Sequence, residues 1–124
     1  MALKIRSTEN RTFSRIVELV GRLDNETVAA LDEELNRIAA SDVTVIVFDL
    51  AGLEYISSVG LRSIFRIQKV MAARSGKMLL VNMLPQVEKV FEIVKAVDVK
   101  SVFASTEELD RYLDVMQRKV IDGD

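Results

Sequence analysis

Val43-Thr-Val-Ile-Val-Phe-Asp-Leu50 is a continuous apolar run, rich in β-branched residues and carrying an acid next to its end. Such a run reads as a central parallel strand with both faces covered, because a strand buried on two sides has no need of polar alternation. Ala51-Gly-Leu-Glu-Tyr-Ile56 then reads as a turn, and Ser57-Ser58-Val59-Gly60-Leu61-Arg62 as the opening of a long helix. In open α/β sheets, loops converge at the carboxyl ends of strands and helix N-termini aim free amides at whatever binds there. Ser57 and Ser58 are therefore the first candidate functional residues.

Towards the N-terminus, Leu3 and Ile5 alternate with Lys4 and Arg6, and a second apolar run, Ser14 to Leu23, follows a polar break at Glu9 to Thr12. Two strands so close together predict a hairpin, with the antiparallel first strand at an edge of the sheet. Gly21 within the second strand marks a bulge or a close backbone approach. Asp24 to Thr27 supplies a cap, and Val28, Leu31, Leu35 and Ile38 predict an amphipathic helix ending near Ser41-Asp42. Asp24 either caps this helix or borders the serine surface.

Towards the C-terminus, Leu61, Ile64, Phe65 and Met71 form one helix face, which Ile67 and Val70 widen. Arg62, Arg66 and Lys69 share a stripe running away from the serines. It reads either as a solvated face or as a docking stripe for a partner. Arg74 and Gly76 read as a last-turn cation and a left-handed cap. Lys77 to Asn82 is a short buried strand, Pro85 suits a first helical position, and Val87, Val90, Phe91 and Val94 mark a third helix. Val99 to Phe103 reads as a weak fifth strand or an extended connection. Ser105 and Glu108 form a capping box before a last helix carrying Leu109, Tyr112, Leu113, Met116 and Val120. The tail, Ile121 to Asp124, is expected to fray.

The expected fold is a single small α/β domain over residues 1–120, with a mixed, mostly parallel sheet of four to five strands and about four helices. With 124 residues, 49% of them hydrophobic, the chain is sized for one core. No apolar run reaches the ~18 residues needed to span a bilayer, and the start is a polar-alternating strand rather than a signal peptide, which places the chain in the cytosol. Seventeen basic against nineteen acidic residues give a net charge of −2, so no global field favours nucleic acid or an anionic membrane.

The chain has no cysteine and no histidine. Disulfides, thiolate nucleophiles, zinc sites built on sulfur or imidazole, and Ser-His or Cys-His mechanisms are thereby excluded. The acids scatter over helix surfaces, so neither a metal nor another cofactor is expected.

Gly21-Arg-Leu-Asp24, Phe48-Asp-Leu50, Tyr55-Ile-Ser-Ser-Val-Gly-Leu-Arg62 and Leu80-Val-Asn82, in this order and on these elements, resemble the STAS domain of bacterial anti-sigma-factor antagonists. The resemblance covers nearly the whole chain. It implies a non-enzymatic binding module whose phosphoacceptor serine stands two residues before the Gly-Leu pair, at Ser58. It also implies a cycle in which an anti-sigma factor that is also an ATP-binding serine kinase phosphorylates that serine and loses affinity, until a serine phosphatase restores it.

Ser57 stands where Asp often precedes the acceptor, and Val59 stands where Ser or Thr often follows, which narrows the choice to Ser57 and Ser58; the position two residues before the Gly-Leu pair makes Ser58 the acceptor and Ser57 the alternative. The partner surface implied comprises Asp24, Ser57, Ser58, Val59, Gly60, Arg62, Arg66 and Lys69, on a chain monomeric when free. Apart from the resemblance, either serine is a good N-cap and Gly60 is a packing glycine. A STAS-type scaffold or sensor without a phosphorylation cycle is the second reading. A phosphoaspartate receiver built on Asp49 is the third, although the first strand is followed by no acidic pair to hold magnesium.

Overall fold

The computed structural model describes residues 2–96 and 102–123. In chain order the elements are β1 (Leu3–Arg11), β2 (Ser14–Leu23), α1 (Val28–Ala39), β3 (Val45–Ile56), α2 (Ser58–Ala73), β4 (Lys77–Val81), α3 (Pro85–Ala96) and α4 (Thr106–Asp122). Most of the expected fifth strand, from Val99 to Ser101, lies outside the described residues. The sheet order is β1-β2-β3-β4, with β1 antiparallel to β2 and the other pairs parallel. The hairpin and its edge position are as the sequence predicts. Its turn, however, is Thr12-Phe13, with β1 running on through Glu9.

Three expectations about β3 and its helix are corrected. First, Ala51 to Ile56 is strand, not turn. Leu53, Tyr55 and Ile56 are buried, and β3 follows β2 to its end through register shifts at Glu18/Val20 and Gly21/Arg22. Gly52 is needed because a Cβ there would lie 2.9 Å from a Val20 methyl, not because the chain reverses. Gly21, at φ 115°, combines a register shift with a close approach to the Ala2 carbonyl, so both readings of it hold.

Second, β3 is buried on one face only. Val17, Leu19, Ile46, Phe48 and Leu50 are fully buried under the helices, with Leu31, Leu35, Ile64 and Met71. The opposite face carries the row Ile16, Val47 and Leu79, with Leu79 43% and nearby Val20 48% exposed. The apolar run reflects strand propensity and mutual shielding along the row rather than a second helical layer.

Third, the end of α2 is built differently. Ser75, not Gly76, takes the left-handed conformation (φ 59°), while a Cβ at Gly76 would strike the carbonyl of Thr44. Arg74 does not serve its own helix. Its guanidinium donates to the carbonyls of Ala39, Ser41 (3.0 Å) and Val43 (2.9 Å), closing the end of α1.

In α4 the buried row is Leu109, Leu113 and Gln117, while Tyr112 is exposed. The capping box forms in part, with Ser105 Oγ accepting from the Glu108 amide at 3.1 Å. The helix runs through Ile121 and Asp122 to a left-handed Gly123. No helix among the described residues is long and apolar enough to cross a membrane.

Candidate functional site

β2 and β3 end side by side, and α2 starts there. The Ser57 amide donates to the Leu23 carbonyl at 3.0 Å, which binds the start of α2 to the end of β2. Gly60 lets this happen, since a Cβ on it would lie 2.6 Å from Leu23 Cγ and 3.2 Å from Ile56 Cγ1. Gly60 is buried and its packing reading holds.

The two serines have different surroundings. Ser57 is the N-cap by position, with extended backbone, yet its side chain makes no capping bond and its buried Oγ has no partner. Ser58 is the first helical residue and is 7% exposed. Its amide donates to Asp110 Oδ1 at 2.8 Å and its hydroxyl to Asp110 Oδ2 at 2.9 Å. A carboxylate from α4 therefore does what a capping serine would ordinarily do, accepting from one of the orphan amides of the helix start.

One turn and two turns further along α4, the same face grips β3. Gln117, fully buried, accepts from the Ile56 amide at 3.0 Å and donates to the Ile56 carbonyl at 2.9 Å. Asp114 lies against Tyr55, whose ring also carries the Arg22 guanidinium 3.9 Å from its centroid. Burial first, and then Asp114, raise the Tyr55 hydroxyl above its ordinary pKa of 10.0; Arg22 opposes this and Asp110 adds to it.

Sequence reasoning missed both Asp110 and Gln117. A signal for Gln117 was present, because it continues the four-residue row of Leu109 and Leu113 where a solvated residue would be out of place. Asp110 carries no comparable signal, since an acid in the first turns of a helix is expected on dipole grounds alone.

The other predicted residues are spread along the molecule. Asp24 is half-buried and serves its own turn: Oδ1 accepts from the Glu26 amide at 3.0 Å, and its carbonyl accepts from Thr27 and Val28. Val59 is half-buried, and Arg62 and Lys69 are exposed. Arg66 is bonded to Asp32 of α1 at 2.8 Å, so the cation stripe is interrupted by a structural pair. Beside Ser58 and Arg62 runs a groove of about 560 Å³ between α2 and α4, with Leu61, Phe65 and Leu109 in its wall. Asp49 is not at the end of its strand. It lies on the open face of the sheet, accepting from the Ala51 amide at 3.1 Å and Asn82 Nδ2 at 3.3 Å.

Comparison with known proteins agrees with this architecture. The family described as STAS domain matches residues 4–109. The anti-sigma-F factor antagonist RsfB of Mycobacterium tuberculosis is 36% identical over 62 residues, which is 50% of this chain and 45% of RsfB. The chain thus spans less than half the length of that curated relative. Among solved structures, the anti-sigma factor antagonist SpoIIAA in its unphosphorylated form superposes with TM-score 0.64 at 21% identity, over 72% of this chain and 82% of that one. An anti-sigma factor antagonist from Mycobacterium paratuberculosis gives TM-score 0.67 at 20% identity, over 80% and 81%. These two show the shared fold. With the family match over most of its length, the chain belongs to the STAS domain family.

Proposed function

We propose that this STAS domain is a non-enzymatic, cytosolic partner-switching regulator. In its unmodified form it holds an ATP-binding serine kinase that is also an anti-sigma factor, and phosphorylation of Ser58 releases that partner. The observation that carries this reading is the place of Ser58: the first residue of α2, at the carboxyl end of β3, bordering the groove between α2 and α4. Both serines are buried, but only Ser58 lines the groove, whereas Ser57 Oγ lies buried without a partner, which favours Ser58 as the acceptor. The name of RsfB, an anti-sigma-F factor antagonist, supports the same class of partner.

In the step proposed, Ser58 Oγ attacks the γ-phosphorus of ATP. The Oγ–P bond forms as the bond to ADP breaks, and the hydroxyl proton passes to a base. A serine phosphatase later hydrolyses the Oγ–P bond and restores the hydroxyl. The dipole of a helix start favours negative charge, so the modification leaves α2 itself folded and acts on what is packed or docked against its start. A penalty of about 4 kcal/mol in the interface weakens binding on the order of a thousandfold. Val59, Arg62 and Lys69 offer the accessible contacts, whereas Arg66 must first leave Asp32.

A scaffold without a phosphorylation cycle is the second reading, favoured by the near-complete burial of Ser58. Pull-down from native cytosol with folded Ser58→Ala and Ser58→Asp proteins separates the two. The switch requires an ATP-binding serine kinase retained by the alanine protein and lost by the aspartate one. Equal retention by both favours the scaffold.

A further inference from the structure

We propose that Asp110 locks Ser58 and that phosphorylation breaks the lock, driving the first turns of α4 away from the start of α2. This inference rests on the reading of Ser58 as the phosphoacceptor. Both oxygens of Asp110 are committed to that residue, one to its amide at 2.8 Å and one to its hydroxyl at 2.9 Å. The acid already fills the anionic position that the helix N-terminus offers.

Phosphorylation changes each half of this contact. The hydroxyl proton that Oδ2 accepts is replaced by phosphorus, so that bond is lost whatever torsion the side chain adopts. The new oxygens are acceptors carrying about −1.5 to −2 charge, set beside a carboxylate. The Ser58 amide then has two anionic claimants, and the covalently attached one remains.

The charges around the pair are mixed, and among the described residues none holds Asp110 in place. On α4, Asp114 adds a second acid one turn on; from β2, Arg22 is stacked on Tyr55 and lies 3.6 Å from Asp24; on α2, exposed Arg62 lines the same groove as Ser58 and offers the phosphate a partner outside Asp110's helix. Held in place, the first turns of α4 would keep Asp110 against the phosphate.

The rest of α4 has its own attachment. Gln117 remains bonded to both polar groups of Ile56, and Leu113 is fully buried. The movement is therefore a local opening of Thr106 to Tyr112, short of the Leu113 anchor, which uncovers Leu109 and widens the groove beside Arg62. Phosphorylation on this view reshapes the partner surface as well as charging it. Asp110 and Gln117 both fall beyond residues 4–109, the stretch that the family match covers.

The test encodes phosphoserine genetically at position 58, in the wild-type chain and in Asp110→Asn, and follows amide hydrogen exchange along α4. Asparagine keeps an acceptor for the Ser58 amide and offers the phosphate a donor. Phosphoserine in the wild-type chain is expected to speed exchange across residues 106–112 by about tenfold or more, and in Asp110→Asn by under about twofold. In Asp110→Ala, a second variant, exchange across the same residues is already fast without phosphate, and phosphoserine adds nothing. Unchanged exchange in the wild-type phosphoprotein, or equal acceleration in wild type and Asp110→Asn, overturns the lock. No kinase enters this measurement, so a Ser58 found unmodified in cells defeats the proposed function and leaves the exchange result standing.

Discussion

α1 and α2 both follow a strand that ends at the same edge of the sheet, yet their first turns are held in different ways. The start of α1 is closed by its own loop. Asp24 O accepts from Thr27 and Val28, and Thr27 Oγ1 accepts from the Asp24 amide at 3.0 Å and donates to Arg22 O at 2.8 Å. The start of α2 is closed from outside, by an acid 52 residues further along the chain. A helix start completed by its own loop holds whenever the loop does. One completed by another helix is conditional on that helix staying docked, and the residue with the proposed regulatory role sits at the conditional start.

Gln117→Leu should break this comparison most severely. It leaves both polar groups of Ile56 buried without partners, and each such group costs about 1–3 kcal/mol. A loss of about 3 kcal/mol is expected in urea unfolding; a midpoint like that of wild type would mean that Gln117 is not the anchor of α4.

Asp110→Ala removes a charged acceptor from two donors and is expected to cost about 2 kcal/mol. Thr27→Ala, which removes the hydroxyl bonded to the Asp24 amide and the Arg22 carbonyl at the local start, should cost about 1 kcal/mol. The reverse order in the same denaturation assay would mean that the local cap is the stronger one.

Tyr55→Phe sharpens the comparison at high pH. The folded state holds the Tyr55 proton more tightly than the unfolded chain does. Its contribution is thus fully present below the unfolded pKa of 10.0 and is lost as pH rises through the folded value. The phenylalanine protein should show a shallower alkaline decline. An identical slope in both proteins would show that the Tyr55 proton is held no more tightly in the folded chain than in the unfolded one.

How far the sequence could be read follows the same division. The hairpin, α1, Gly21 and the Ser105 cap were legible because their causes lie within a few residues: alternation, a three-to-four periodicity, a bulge, a local acceptor. The course of β3 was less so. Gly52 looked like a turn residue, because nothing local reveals that Val20 of the neighbouring strand requires the space. The open face of the sheet was misread for a related reason, since Val45 and Val47 give the same apolar signal whether or not a helix covers them. At the site, the serines were legible as a helix start, but the group that caps them was not. Asp110 meets Ser58 only through tertiary packing, and no spacing in the sequence encodes that meeting.

The long reach of Gln117, which bonds to a residue 61 positions earlier, also bears on synthesis. Chains grow at about 5–20 residues per second, and contacts of high sequence separation close late. Until α4 has been made and docks, the serine at the start of α2 lacks its acid and Ile56 lacks its amide partner. Docking of α4 is thus the event that completes the proposed partner surface, and a chain on which α4 has not yet docked does not present the proposed Asp110–Ser58 contact to any partner.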